Sequence, residues 1–255
     1  MKRRMHIICV VCAAAVLATG CGRVSKEQLE RREEGITLLE SGDYEGAVEI
    51  FEGLIKDAKR VSDFELDVLK YRAEAEFGFG DYEAAAYTYE LLNEVDKKRA
   101  EYYYFGALSL ARAGDTKTAG ERLRAGYDLD KKMERPGFDE AMMALGEAFS
   151  AKQSYEQAEE VYVQMARAGR GGAEVYLCQM LLVMEQEDYQ RALSIAAKGL
   201  ELPENTVRKE LKFHEAVCYE YLGEYGKALE LFQGYVSEFG NDTAAEHEIL
   251  FLETR

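Results

Sequence analysis

The chain has 255 residues, 47% hydrophobic and 31% charged, which is apolar enough to bury a core and long enough for one large domain or two small ones. With 32 basic against 48 acidic side chains, the net charge of −16 excludes nucleic acid as a partner, because a phosphate backbone needs a basic footprint. Only 2 Pro and no Trp occur, which argues against Pro-rich linkers and collagen-like order.

The chain opens with Lys2, Arg3 and Arg4, followed by an uncharged apolar run from Ile7 to Ala18. A membrane-spanning helix needs about 20 apolar residues, so this shorter run reads as the hydrophobic part of a signal peptide. It ends in Leu17-Ala18-Thr19-Gly20-Cys21. Small residues and a Gly before a Cys resemble the lipobox of bacterial lipoprotein signal peptides. The resemblance implies cleavage before Cys21, lipidation of its sulfur, and residence at a bacterial cell membrane, lipid-anchored on the extracytoplasmic side. The alternative is an ordinary secretory signal with an incidental Cys. On the lipoprotein reading, residues 1–20 are the signal peptide and 21–27 are the lipidated Cys and a short tether. Removing the signal peptide takes away three basic groups and no acid, leaving 29 basic against 48 acidic groups, a net of −19. Anionic lipid repels so acidic a body, so acyl chains and not the protein surface would hold it to the membrane.

From residue 28 onward one pattern repeats. Gly42-Asp43-Tyr44-Glu45-Gly46-Ala47 returns in degenerate form with its aromatic position at 82, 116, 155, 189 and 225. The spacings are 38, 34, 39, 34 and 36; Tyr fills five of the six places, and an Ala three residues later fills all six. Each unit reads as two amphipathic helices joined at the Gly, whose freedom at positive φ suits the end of the first helix. Asp or Ser next to it suits the start of the second. The Tyr is expected between the two helices of its unit. Four residues beyond the Ala stands a large side chain: Phe51, Tyr89, Leu123, Tyr162 and Phe232, with Ala196 the exception. Seven residues before the Gly position stands a small one: Gly35, Ala73, Ala107, Gly146 and Ala216. Met180 breaks that rule and predicts a looser fifth unit.

The pattern resembles the tetratricopeptide repeat, across residues 28–242 in six copies. The resemblance implies an all-α fold, a tetratricopeptide-repeat α-solenoid winding as a right-handed superhelix. The family's Pro at the end of each unit is missing; Pro136 and Pro203 fall between units instead. Length varies only between units, at 59–65, 131–138 and 202–209, where insertions leave packing undisturbed. Ser25 with Gln28, Ser62 with Glu65, and Thr243 with Glu246 have the spacing of capping boxes. Residues 243–255 are expected to form a C-terminal capping helix over the last unit.

No motif for catalysis is found: no phosphate loop, no nucleophile elbow and no metal-ligand spacing. The chain is expected to be no enzyme and to need neither cofactor nor metal. Gly169-Arg170-Gly171-Gly172 has a superficial likeness to a phosphate cradle but stands where a turn is needed. Cys178 and Cys218 are either small buried hydrophobes or a disulfide pair.

In the family, the first helix of each repeat lines the concave side, where partners bind. The resemblance therefore implies a partner-binding groove containing Tyr71, Phe77, Tyr104, Phe105, Leu108, Met143, Leu177, Leu181, Met184, Phe213 and Tyr221. Apolar stripes at helical spacing are equally what a core requires, and that alternative stands for each residue. The lining is aromatic and aliphatic with acids close by, and it lacks the Lys and Asn of the carboxylate clamp in the family's chaperone-binding members. The implied partner is a protein or peptide with apolar anchors and basic flanks. The expected role is a membrane-anchored extracytoplasmic scaffold; the alternative is an accessory lipoprotein of an envelope, secretion or pilus assembly machine.

Overall fold

The computed structural model describes residues 24–56, 58 and 60–255; the expected signal peptide and Cys21 lie outside the described residues. Among the described residues there are thirteen helices and no strand. They form six pairs: α1 (Lys26–Ser41) with α2 (Tyr44–Ile55), α3 (Asp63–Phe79) with α4 (Tyr82–Val95), and α5 (Ala100–Arg112) with α6 (Thr116–Leu129). Then follow α7 (Phe138–Ala151) with α8 (Tyr155–Arg167), α9 (Gly172–Glu185) with α10 (Tyr189–Leu200), and α11 (Arg208–Tyr221) with α12 (Tyr225–Phe239). The single helix α13 (Thr243–Leu252) closes the array against α12.

Local chemistry sets the helix ends. Every even helix through α12 starts on the recurring Tyr or Thr position. Asp43, Asp81, Asp115 and Asp188 accept a hydrogen bond from the backbone N–H three residues on, satisfying a donor that the helix itself leaves open. The turn before each pair's second helix needs a left-handed residue. Gly supplies it at 42, 80, 114 and 223, but Gln153 (φ 57°) and Glu187 (φ 61°) adopt the same conformation with a side chain. That costs each about 1 kcal/mol relative to Gly. The capping boxes at Ser25 and Ser62 form as expected. The one expected at Thr243 does not. Asp242 caps α13, accepting from Ala244 and Ala245 N–H, because the Tyr235 hydroxyl and the Lys209 ammonium already hold its carboxylate at 2.9 and 3.1 Å.

Within a pair, the small residue of the first helix receives the large residue of the second. A Cβ on Gly35 would stand 2.7 Å from the Phe51 ring, and one on Gly146 would stand 2.5 Å from Tyr162. Only Gly fits beneath these rings. The fifth pair inverts the arrangement: Met180 is the large partner and Ala196 the small one, and both are fully buried in one cluster. The expected looseness is therefore absent, because the volume moved from one helix to the other. The recurring Tyr also does more than expected. Tyr82 packs edge-on against Phe77 of its own pair, but Tyr44 lies over Gly78 of the next pair and Tyr189 stacks on Tyr221 of the next. A side chain in the first helical turn leans toward the helix N-terminus, which carries these rings past their own pair.

Among the first helices α1 touches α3, α5 touches α7, α7 touches α9 and α9 touches α11, whereas the second helices contact mainly the first helices on either side. The odd-numbered helices therefore line the shorter, inner side of the array. The stacking is uneven. After α6, residues 130–137 form a long connection containing Pro136 and Gly137, and of the preceding pair α7 packs chiefly on α5 and only lightly on α6.

If Met180 and Ala196 are one inverted contact, Met180→Ala will cost about 2–4 kcal/mol and Ala196→Leu about 1–3 kcal/mol. Urea unfolding of the double variant should then recover at least about 1 kcal/mol of the summed loss. Strict additivity would show that the two side chains do not share a space.

Candidate partner-binding face

The uneven stacking decides which of the expected groove residues face outward. Tyr104 is fully buried: its ring fills the space over Gly126, meets Phe138 edge-on at 5.3 Å, and its hydroxyl donates to Asp130 Oδ2 at 3.4 Å. Leu108 is buried in the same cluster, and Leu177 is buried in the core of the fifth pair. These three residues pack helices together and do not line an open groove, the first two because α7 lies over α5. Phe105 and Met143 are partly buried against the same central cluster, with Phe105 stacked on Tyr89 at 5.7 Å. Phe77 is partly buried there too. Tyr71 is half-buried, stacked on Phe51 at 5.8 Å beneath the Arg32 guanidinium. Phe213 is wedged between Phe232 and Tyr235.

What remains is at the C-terminal end of the inner face. Leu181 on α9 is 36% exposed, and Tyr221 on α11 is 66% exposed. Met184, three residues after Leu181, is half-buried and packs on the core of the fifth pair. Tyr189, which was not among the expected residues, stacks on Tyr221 with ring centroids 4.8 Å apart and planes 8° apart, and so fixes where that exposed ring stands. The signal for it was the recurring Tyr itself, once its forward reach is known. The signal for the covered middle was the long connection at 130–137 followed by Phe138.

The charges divide the same way. On the inner face Arg32 donates to Asp67 at 2.7 Å and Arg112 to Glu147 at 2.6 Å, the partners of each pair 35 residues apart, the length of one repeat. On the outer side Arg122 bonds Glu90 and Arg191 bonds Glu159, each 32 residues apart. These arginines serve the array and hold its repeats together.

The C-terminal end carries acids outside this ladder. Burial, and then the neighbouring Glu248 carboxylate, hold Glu220 above the usual carboxylate range. Burial does the same for Glu215. Burial pushes His214 below its ordinary value, against the pull of Glu210. Burial also pushes the Cys218 thiol up to about 12, which keeps it protonated and without nucleophilic character. Cys178 and Cys218 are not bonded to each other. Arg170, the centre of the phosphate-cradle lookalike, is turned inward, donating to Asp139 and to the Met133 carbonyl. Among the described residues no group of three or more His, Cys, Asp and Glu is placed to hold a metal ion, and no helix is long and apolar enough to cross a membrane.

Residues 32–94 match the model of the tetratricopeptide repeat family. No curated protein matches in sequence. Among solved structures, the C-terminal part of a repeat-containing protein from Cytophaga hutchinsonii superposes with a TM-score of 0.61 at 16% identity, over 81% of this chain and 78% of that one. A tetratricopeptide repeat protein from Parabacteroides merdae gives 0.57 at 14% identity, over 89% and 84%. YrrB, a repeat protein with an unusual peptide-binding site, gives 0.51 at 19% identity, over 65% and 82%. At these identities the likeness establishes the fold, an all-helical tetratricopeptide-repeat solenoid.

The burial pattern separates framework from surface. Tyr104→Ala should lower the free energy of unfolding by about 3–5 kcal/mol, as large-to-small changes in a closed core do. Tyr221→Ala should lose no more than about 1.5 kcal/mol, the worth of one aromatic stack. Chemical unfolding of both variants measures the contrast, and equal losses would place Tyr221 in the core.

Proposed function

We propose that this tetratricopeptide-repeat solenoid is a lipid-anchored, extracytoplasmic interaction scaffold that engages its partner at the C-terminal end of its inner face. The observation that carries the reading is the exposed aliphatic and aromatic surface of Leu181 and Tyr221, with half-buried Met184 on α9 and the adjoining carboxylates of Glu220 and Glu248 at the same end of the array. A large exposed ring held rigidly by a stacked neighbour loses little conformational entropy on binding, and such residues tend to dominate affinity. The acid surplus favours a protein segment with apolar anchors and basic flanks, chiefly by speeding encounter and rejecting acidic competitors. YrrB, with its unusual peptide-binding site on the same fold, supports a peptide-like ligand. The lipobox-like Ala18-Thr19-Gly20-Cys21 supports the anchor, since two or more acyl chains hold a protein to a bilayer without help from its surface.

Each half of this reading has its own test. Cys21→Ala should abolish fatty-acid labelling and release the protein from the membrane fraction; labelling that persists would remove the lipoprotein reading. A partner recovered by crosslinking in cells should bind Leu181→Ala and Tyr221→Ala at least about tenfold more weakly, a loss of about 1.4 kcal/mol or more, with helicity unchanged. Its affinity for the native protein should fall modestly with added salt. Undiminished binding by both folded variants would move the partner surface off α9 and α11.

A further inference from the structure

The six repeats provide an internal standard for one another, and three departures from it converge on a single place on the outer side. The first is Asn93. Eight residues after the recurring Ala, the other repeats carry Ile55, Tyr127, Ala166, Leu200 and Val236; the second carries Asn93. Asn93 is 6% exposed, and its Oδ1 has no hydrogen-bond partner. The second is Gly106. Just before the small residue of the first helix, the other repeats have the long side chains of Glu34, Arg72, Leu145, Gln179 and Glu215; the third has none. The third is Tyr87. Two residues after the recurring Ala the other repeats have Glu49, Glu121, Glu160, Ser194 and Glu230, as a solvent-facing position requires; the second has Tyr87, 59% exposed.

All three line one slot of 220 Å³ between α4 and α6, floored by Gly106 and Leu110 of α5 and flanked by Ala86, Glu83 and the Arg122–Glu90 ion pair. The missing side chain at 106 opens the slot. Exposed Tyr87 and Asn93, whose buried Oδ1 has no donor, are both among its lining residues. A buried acceptor left unpaired costs about 1–3 kcal/mol. Departures from local pattern that bring no gain to the fold mark functional places.

We infer that this slot is a second docking site, which takes one aliphatic side chain from a basic segment of another protein and one hydrogen bond donated to Asn93 Oδ1. The occupant follows from the lining. The volume is below the roughly 300–1,000 Å³ of sites for drug-sized ligands and suits a single side chain. The apolar walls call for an aliphatic group, and Asn93 Oδ1 calls for a donor. Arg122 is already paired with Glu90, which leaves Glu83 as the uncompensated charge at the rim and favours a basic flank. The site lies across the array from the inner face and stands or falls independently of the function proposed for α9 and α11.

The test uses the isotopically labelled full chain and two synthetic heptapeptides with a central leucine, one flanked by lysines and one by glutamates. Nuclear magnetic resonance follows the Asn93 side-chain amide and the Gly106 backbone amide. The lysine-flanked peptide should shift both saturably, and the glutamate-flanked peptide should bind at least severalfold more weakly. Gly106→Leu places in the slot the residue that the fourth repeat carries there. The new Cβ would meet only Tyr89 Cβ, at 3.4 Å, so the fold should persist while binding drops at least tenfold. Should that variant fail to fold, Asn93→Leu, the residue of the fifth repeat, removes the acceptor instead and should raise the Tm while weakening binding. The inference is overturned if neither peptide gives saturable shifts at these two residues, or if binding survives in the folded variants. Shifts that depend on protein concentration without peptide would overturn it as well, by assigning the slot to a second copy of this chain.

Discussion

The array depends on one contact repeated along it, a large side chain from the second helix of a pair seated on a small residue of the first. Where that residue is glycine, as at 35 and 146, the ring of Phe51 or Tyr162 lies so close that even a methyl group has no room. Interiors pack at crystal-like density, so this contact fixes the separation of the two helices and with it the surface that each pair offers to the next. In the inverted pair of Met180 and Ala196 the summed volume is kept, while the helix that supplies it has changed.

Much of this was legible in the sequence because it is local. The left-handed glycines, the aspartate caps, the first residue of each second helix and the small and large partners are all set within a few residues of one another, and the spacing shows them. Two local readings still missed. Thr243 lost its capping role to Asp242, because Tyr235 and Lys209 hold that carboxylate in place. Met180 and Ala196 each look like an exception, although taken together they form a complementary pair.

The partner face was less legible, because it depends on how far one pair turns relative to the next. Tyr104, Leu108 and Leu177 have the spacing of groove residues in the family, but α7 settles on α5 and closes over the first two, a tertiary event set by the connection at 130–137. Tyr221 has the same kind of spacing and stays open, because no later helix covers it to that extent. The acidic balance was visible from composition. Its distribution was not: the ladder of arginine–carboxylate pairs one repeat apart consumes basic groups along the array and leaves the C-terminal end with carboxylates that burial keeps above their usual range.

The settling of α7 on α5 also governs how the molecule comes apart. In a regular solenoid each unit touches only its neighbours, so unfolding spreads from either end one unit at a time. Here the largest buried cluster runs from α5 through α9 without a break, while the outer units have smaller clusters of their own. The ends can therefore fray singly, whereas the centre must open as one cooperative block. Amide hydrogens of α5, α7 and α8 should accordingly exchange most slowly, with the middle of the chain as the keystone on which the two arms are built.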